Sequence, residues 1–145
     1  MSRIYLDTSA IIPIYREEPT TEIVLNTLSS EDEFIISNLT RVEFRSAFYR
    51  AVRSNEITIE TARHRIEMFE ADLANYSMRE ITPITWECSK DLLDRYSTQT
   101  GLRTLDSLHL ATAVEVAKIS GLDFFLTLDE ILAKVARLEG LEVKP

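Results

Sequence analysis

The sequence contains a single cysteine, Cys88, and only two histidines among its 145 residues. One cysteine cannot form an internal disulfide, and no group of cysteine and histidine residues has the spacing of a zinc site. A fold held together by disulfides or by zinc is therefore excluded. A reducing cytoplasm is the place of action that this cysteine usage favours.

Long apolar runs are also absent. No stretch approaches the roughly 20 apolar residues that a membrane-spanning helix needs. Residues 1–3 lead directly into the run Ile4-Tyr5-Leu6, without the basic and long apolar regions of a signal peptide. There is no internal repeat, low-complexity tract or interdomain linker. We expect residues 1–145 to form one compact domain that is neither exported nor embedded in a membrane.

Basic residues are in the minority, with 16 Lys and Arg against 24 Asp and Glu, a net charge of −8. A protein that binds polyanions through bulk electrostatics is usually basic. The charges are unevenly distributed, however, because residues 41–65 contain six Arg and only three Glu. Arg41 and Arg45 flank Glu43 and are the candidates for contacts with phosphates. The alternative is a solvated helical hairpin whose arginines pair with its own glutamates.

Short apolar runs alternate with helical patterns, which is typical of βα units and a largely parallel sheet. We predict an α/β fold, a three-layer α/β/α sandwich around a mainly parallel sheet of roughly five strands. The strands are expected at about 4–7, 33–37, 78–81, 124–127 and 141–143. The helices are expected at about 10–16, 21–29, 41–55, 59–75, 86–100, 105–120 and 130–138.

The third of these helices has a broad apolar stripe that includes Phe44, Phe48 and Val52. The stripe is wider than a helix on the surface of a monomer needs. It indicates either packing in the core or a surface for a partner, and both alternatives remain open from the sequence.

Four acidic residues map to one edge of the predicted sheet. Asp7 ends the first strand, and Asp129 directly follows the fourth. Glu43 and Asp106 lie in the first turns of predicted helices. The carboxyl ends of parallel strands and the N-termini of helices converge at one edge, where ligands bind. Carboxylates without His or Cys ligands suit hard cations such as Mg²⁺ or Mn²⁺, which activate water and polarise phosphates.

Each acid taken alone also has a structural explanation. Glu43 has the spacing of a capping box with Thr40, and Asp7 can cap the helix that follows it. Asp106 and Asp129 can act as favourable charges in the first turn of a helix. The joint placement of all four at one edge, with no competing cofactor motif, favours a metal site.

Four stretches of the sequence resemble the PIN-domain nucleases, particularly the VapC-type toxins of bacterial and archaeal toxin–antitoxin pairs. They are Tyr5-Leu6-Asp7-Thr8-Ser9, Thr40-Arg41-Val42-Glu43-Phe44, Leu105-Asp106-Ser107-Leu108-His109-Leu110-Ala111 and Leu126-Thr127-Leu128-Asp129. Residues 138–143 also resemble the last strand of the family. The resemblance therefore spans nearly the whole chain.

This resemblance implies an endoribonuclease that depends on one or two Mg²⁺ or Mn²⁺ ions per site. It also implies a homodimer that a small cognate antitoxin holds inactive. The acids of the family, which are both catalytic and metal-binding, correspond to Asp7, Glu43, Asp106 and Asp129. Hydroxyl groups of the family that orient carboxylates and waters correspond to Thr8 or Ser9 and to Thr127. For Arg41 and Arg45 the implied role is contact with RNA.

Two other functions remain open. The first is a catalytically silent PIN-like module that binds RNA or protein. The second is a Mg²⁺-dependent phosphatase of the haloacid dehalogenase type, which normally has a second Asp where this chain has Ser9. We interpret His109 as a residue that forms hydrogen bonds within the core rather than as a metal ligand, and His64 as a solvated helix residue.

Overall fold

The computed structural model describes all 145 residues, which form five strands, seven α-helices and one short 3-10 helix at Leu73–Asn75. The strands are β1 (Arg3–Leu6), β2 (Glu33–Ser37), β3 (Ser77–Arg79), β4 (Phe124–Leu126) and β5 (Val143–Lys144). The helices are α1 (Thr8–Tyr15), α2 (Thr21–Thr27), α3 (Leu39–Arg53), α4 (Ile59–Asp72), α5 (Pro83–Thr100), α6 (Thr104–Ser120) and α7 (Glu130–Leu138). None of these helices combines the length and hydropathy that a membrane crossing needs.

All five strands are parallel and lie in the order β3-β2-β1-β4-β5, so β1 is the central strand. Side chains of β1 alternate between two separate cores. Ile4 and Leu6 pack into one core, whereas Tyr5 packs into the other. A sheet that is buried on both faces lies between two helical layers. The predicted three-layer α/β fold is therefore confirmed.

Several elements begin earlier in the chain than predicted, for reasons that local capping explains. The α1 helix begins at Thr8, because the side chain of Asp7 caps it. The α5 helix begins at Pro83, since Thr82 and Thr85 form a capping box in front of it. The last strand lies later than predicted, at Val143–Lys144, where it pairs with β4.

The apolar stripe of α3 belongs to the core. Phe44 and Phe48 are 0% and 2% exposed, and their rings stack at a centroid distance of 4.5 Å. Phe69 of α4 stacks on Phe44 at 4.4 Å. The alternative of a partner surface is therefore wrong for Phe44 and Phe48. The large apolar residues that α3 does expose are Val42 and Tyr49.

Candidate active site

Asp7 lies where β1 ends, at the carboxyl edge of the sheet. Its backbone N–H donates to the carbonyl oxygen of Leu126 at 3.2 Å, which joins the ends of β1 and β4. Its side chain is 4% exposed. Oδ1 accepts hydrogen bonds from the Ser9 hydroxyl at 2.7 Å and the Ala10 N–H at 3.1 Å. Oδ2 accepts one from the Thr127 hydroxyl at 2.7 Å. Both oxygens of this buried carboxylate are thus held in place.

Glu43 reaches the same edge from α3. Its Oε1 accepts a hydrogen bond from the Thr8 hydroxyl at 2.7 Å and lies 2.5 Å from Nε2 of His109. Burial by itself raises the pKa of Glu43, but these two partners hold it below its usual value. The carboxyl group is therefore ionised at neutral pH.

The capping box predicted for Thr40 and Glu43 does not form, because α3 begins two residues earlier than expected, after Asn38. Thr40 is fully buried instead, and its hydroxyl oxygen lies 3.1 Å from that of Thr8. The structural explanation for Glu43 is thereby removed.

Asp106 and Asp129 approach from two other helices. Asp106 lies in the first turn of α6, as predicted. Asp129 is the residue that caps α7, and its Oδ1 accepts the Leu132 N–H at 2.8 Å. Burial raises the pKa of Asp106 to about 6, and the negative charges of Asp129 and Asp7 add to the rise. Repulsion between these acids shows that they share one electrostatic environment.

All four acids line a single open cavity of about 540 Å³. Its lining also includes hydroxyl, imidazole and guanidinium groups, from Thr8, Ser9, His109, Arg50 and Arg103. Thr127 lies behind Asp7 rather than in the lining. The structure thus brings together the four acids that the sequence singled out.

The donor set fits a hydrated divalent ion. No three acidic, histidine or cysteine side chains converge closely enough to enclose a metal ion on their own. Mg²⁺ usually keeps several waters and binds one or two carboxylates, so an enclosing cage is not required. Oxygen donors that face an open cavity match this mode. The residues therefore suit Mg²⁺ or Mn²⁺ and offer no thiolate or imidazole cage for zinc.

Arg41 and Arg45 lie outside this cavity lining. Both pair with Glu70 of α4, at N–O distances of 2.8 and 2.7 Å. The two arginines in the lining are Arg50 and Arg103, and neither has an ion-pair partner. Sequence reasoning missed both of them. Helical spacing could have found them, because Arg50 follows Glu43 by two turns of α3 and Arg103 precedes Asp106 by about one turn.

His109 lies both in the core and at the wall of the cavity. Its side chain is 2% exposed and forms hydrogen bonds within the core, as predicted. It also reaches the cavity through its contact with Glu43. His64 is exposed on α4.

The sequence profile of the PIN domain matches residues 4–138. This chain belongs to the PIN domain family. The predicted resemblance is therefore confirmed, and this PIN domain has a relative that is named a ribonuclease. Ribonuclease VapC35 of Mycobacterium tuberculosis is 29% identical over 143 residues, which cover 97% of this chain and 94% of the relative.

Solved structures share the fold of this PIN domain. FitAcB from Neisseria gonorrhoeae has a TM-score of 0.69 at 21% identity, over 98% of this chain and 96% of that chain. A toxin–antitoxin complex from Klebsiella pneumoniae has a TM-score of 0.57 at 19% identity, over 87% of this chain and 86% of that one. At such low sequence identity, these similarities show a shared fold and nothing further.

The raised pKa of Asp106 predicts how the stability of the metal-free protein changes with pH. Since the folded-state pKa of about 6 exceeds the ordinary value of 3.8, ionisation of this group destabilises the fold progressively from about pH 4 to pH 6. Asp106→Asn should match the melting temperature of the wild type near pH 4 and exceed it by a few degrees at pH 7 in EDTA. Thermal denaturation between these pH values measures the difference.

The exposed Asp94→Asn on α5 is the matched control, because it makes the same chemical change outside the cavity. A lower melting temperature for Asp106→Asn at pH 7 would mean that this carboxylate mainly stabilises the N-terminus of α6.

Proposed function

We propose that this PIN domain, spanning residues 1–145, is a divalent-metal-dependent endoribonuclease and the toxin of a toxin–antitoxin pair. The convergence of Asp7, Glu43, Asp106 and Asp129 in one cavity carries the proposal. The relative that bears the name Ribonuclease VapC35 supports it. Hydrolysis of an RNA phosphodiester bond is the reaction that such a site suits.

In this proposal Asp7 and Asp106 are the principal ligands of Mg²⁺ or Mn²⁺, with one or two ions per site. A bound ion polarises the scissile phosphate and lowers the pKa of an attacking water. Glu43 and Asp129 contribute directly or through water. Each has one oxygen occupied by protein donors, at Oε1 of Glu43 and Oδ1 of Asp129. The second oxygen of each is thus available to an ion or to its water.

Hydroxyl groups hold these carboxylates in position. Thr8 donates to Glu43, whereas Ser9 and Thr127 donate to the two oxygens of Asp7. Oriented acceptors cost less to organise when an ion binds, so such donors are expected to increase the affinity for metal.

The acids argue against the silent binding module, because four carboxylates around one cavity repel one another and a module that binds no cation has no use for that arrangement. The phosphatase alternative needs a second Asp at position 9. Ser9 stands there and is engaged with Asp7, and its oxygen also accepts the Leu128 N–H. The nuclease is therefore the function that the geometry favours.

Replacement of Asp7 tests this function directly. Asp7→Asn keeps the size of the side chain but removes its charge. Cleavage should fall by more than the roughly 10–100-fold that loss of a group supporting a metal ligand costs. We would measure Mn²⁺ binding by calorimetry and cleavage of a structured RNA, with Asp94→Asn as the control. A wild-type protein that binds no divalent ion and cuts no RNA would leave the silent module as the function.

The unpaired arginines of the cavity are the second feature to test. Arg50 and Arg103 are expected to contact RNA phosphates, whereas Arg41 and Arg45 lie outside the cavity and share Glu70 as an ion-pair partner. Replacing a phosphate-contacting cation weakens RNA binding at every sequence and lowers the salt slope by about one. Arg103→Gln and Arg50→Gln should show this effect more strongly than Arg41→Gln. RNA affinity measured at several salt concentrations compares these variants. A larger effect for Arg41→Gln than for the other two would favour the contacts of Arg41 and Arg45 that the sequence predicts.

Two partners belong to the same proposal, which places the protein in the cytoplasm. The first is a small cognate antitoxin, supported by the shared fold with a toxin–antitoxin complex. The second is a second copy of the chain. Val42 is 67% exposed on α3 and Trp86 is 52% exposed on α5, and burial of such residues would stabilise a homodimer.

A cavity lined by four acids favours an antitoxin that inserts an Arg or Lys there, in place of the charge of the metal. The complex should therefore bind Mn²⁺ more weakly than the free toxin, as measured by calorimetry. Unchanged Mn²⁺ affinity in the complex would place the antitoxin elsewhere. Sedimentation of the free toxin gives its oligomeric state, and a monomer at micromolar concentration would contradict the homodimer.

A further inference from the structure

A chain of hydrogen bonds leads from the interior of the fold to Glu43. The phenol oxygen of Tyr5 in β1 lies 2.8 Å from Nδ1 of His109, and Nε2 of His109 lies 2.5 Å from Oε1 of Glu43. Tyr5 is 0% exposed and His109 is 2% exposed. The function proposed above assigns no role to Tyr5.

The donor and the acceptor of each of these hydrogen bonds follow from the protons that Tyr5 and Glu43 carry. A phenol keeps its proton at neutral pH, so the buried hydroxyl group of Tyr5 is able to donate a hydrogen bond. At neutral pH the carboxylate of Glu43 has only acceptor oxygens. A neutral imidazole has one N–H donor and one acceptor nitrogen. A proton on Nε2 and an acceptor at Nδ1 satisfy Glu43 and Tyr5. The Thr8 hydroxyl, 3.3 Å from Nε2, donates its own proton to Glu43 and can therefore also accept from Nε2.

We propose that Tyr5 and His109 are positioning residues that act on the metal site through Glu43. The Tyr5 hydroxyl donates to Nδ1 and thereby fixes the tautomer of His109 with its proton on Nε2. The Nε2–H then holds Oε1 of Glu43, and Oε2 is left for an ion or its water. The effect on metal binding rests on the proposed function, whereas the tautomer does not.

The geometry distinguishes this role from simple core packing. Tyr5 needs its hydroxyl group only for polar contacts, because its ring already stacks on Phe125 at a centroid distance of 5.4 Å. A phenylalanine at position 5 retains that stacking. The acceptor nitrogen of His109, in contrast, would lose its donor. Tyr5→Phe therefore removes the hydrogen bond to Nδ1 of His109 with little loss of packing.

Nuclear magnetic resonance of the imidazole nitrogens tests the tautomer in the full-length protein. In two-bond ¹H–¹⁵N spectra at pH 8, with and without Mg²⁺, His109 should show a protonated Nε2 and an unprotonated Nδ1. The exposed His64 provides an internal reference for an unconstrained imidazole. In Tyr5→Phe, the resonance of Nδ1 should shift towards the position of an acceptor without a hydrogen bond. A proton on Nδ1 of His109 in the wild type would overturn the proposal.

Mn²⁺ affinity, measured by calorimetry below the melting temperature, tests the consequence for Glu43. We expect His109→Leu to lose about 10–100-fold in affinity, Tyr5→Phe to lose less, and His109→Gln to recover part of the loss through its amide N–H. Equal affinities for the wild type and these folded variants would overturn the positioning role. A wild type without any Mn²⁺ affinity would overturn the proposed function together with this consequence, while the resonance spectra would still decide the tautomer.

Discussion

The placement of four carboxylates around one cavity at the edge of a sheet is the constraint on which this site depends. The ends of β1 and β4 place Asp7 and Asp129 there, and α3 and α6 add Glu43 and Asp106. Hydrogen-bond donors stabilise the ionised forms unequally. The His109 and Thr8 contacts lower the pKa of Glu43, whereas the pKa of Asp106 rises to about 6. A divalent cation would relieve the repulsion that remains.

Structural and functional explanations for the acids turn out to be compatible. Asp7 and Asp129 both cap helices, and each uses Oδ1 to accept a backbone N–H. Capping fixes the rotamer of the side chain and leaves its second oxygen for other partners. At Asp7 that oxygen accepts the Thr127 hydroxyl, which holds the carboxylate at the junction of β1 and β4. The same helix caps thus orient the ligands that the proposed nuclease requires.

Local patterns in the sequence were sufficient to predict the strands, the helices and the location of the four acids. Strand order makes the prediction for the acids possible, because every parallel strand ends at the same edge. The partners of individual side chains depend instead on how helices cross. Arg41 meets Glu70 because α3 packs beside α4, and α6 carries His109 to Glu43 and Tyr5. No spacing within one segment encodes such contacts between segments.

The packing of α3 against α4 also limits how much the basic segment adds to the charge of the cavity. Glu70 pairs with both Arg41 and Arg45 and cancels one of their two charges, so the basic segment seen in the sequence contributes less to the cavity than its composition suggests. Arg50 and Arg103 face four carboxylates there, which leaves the cavity negative in the absence of metal. Bound divalent ions would make the charge of the cavity positive at the place where the scissile phosphate must lie. In the proposed nuclease, attraction of the polyanion and activation of water therefore depend on the same ions.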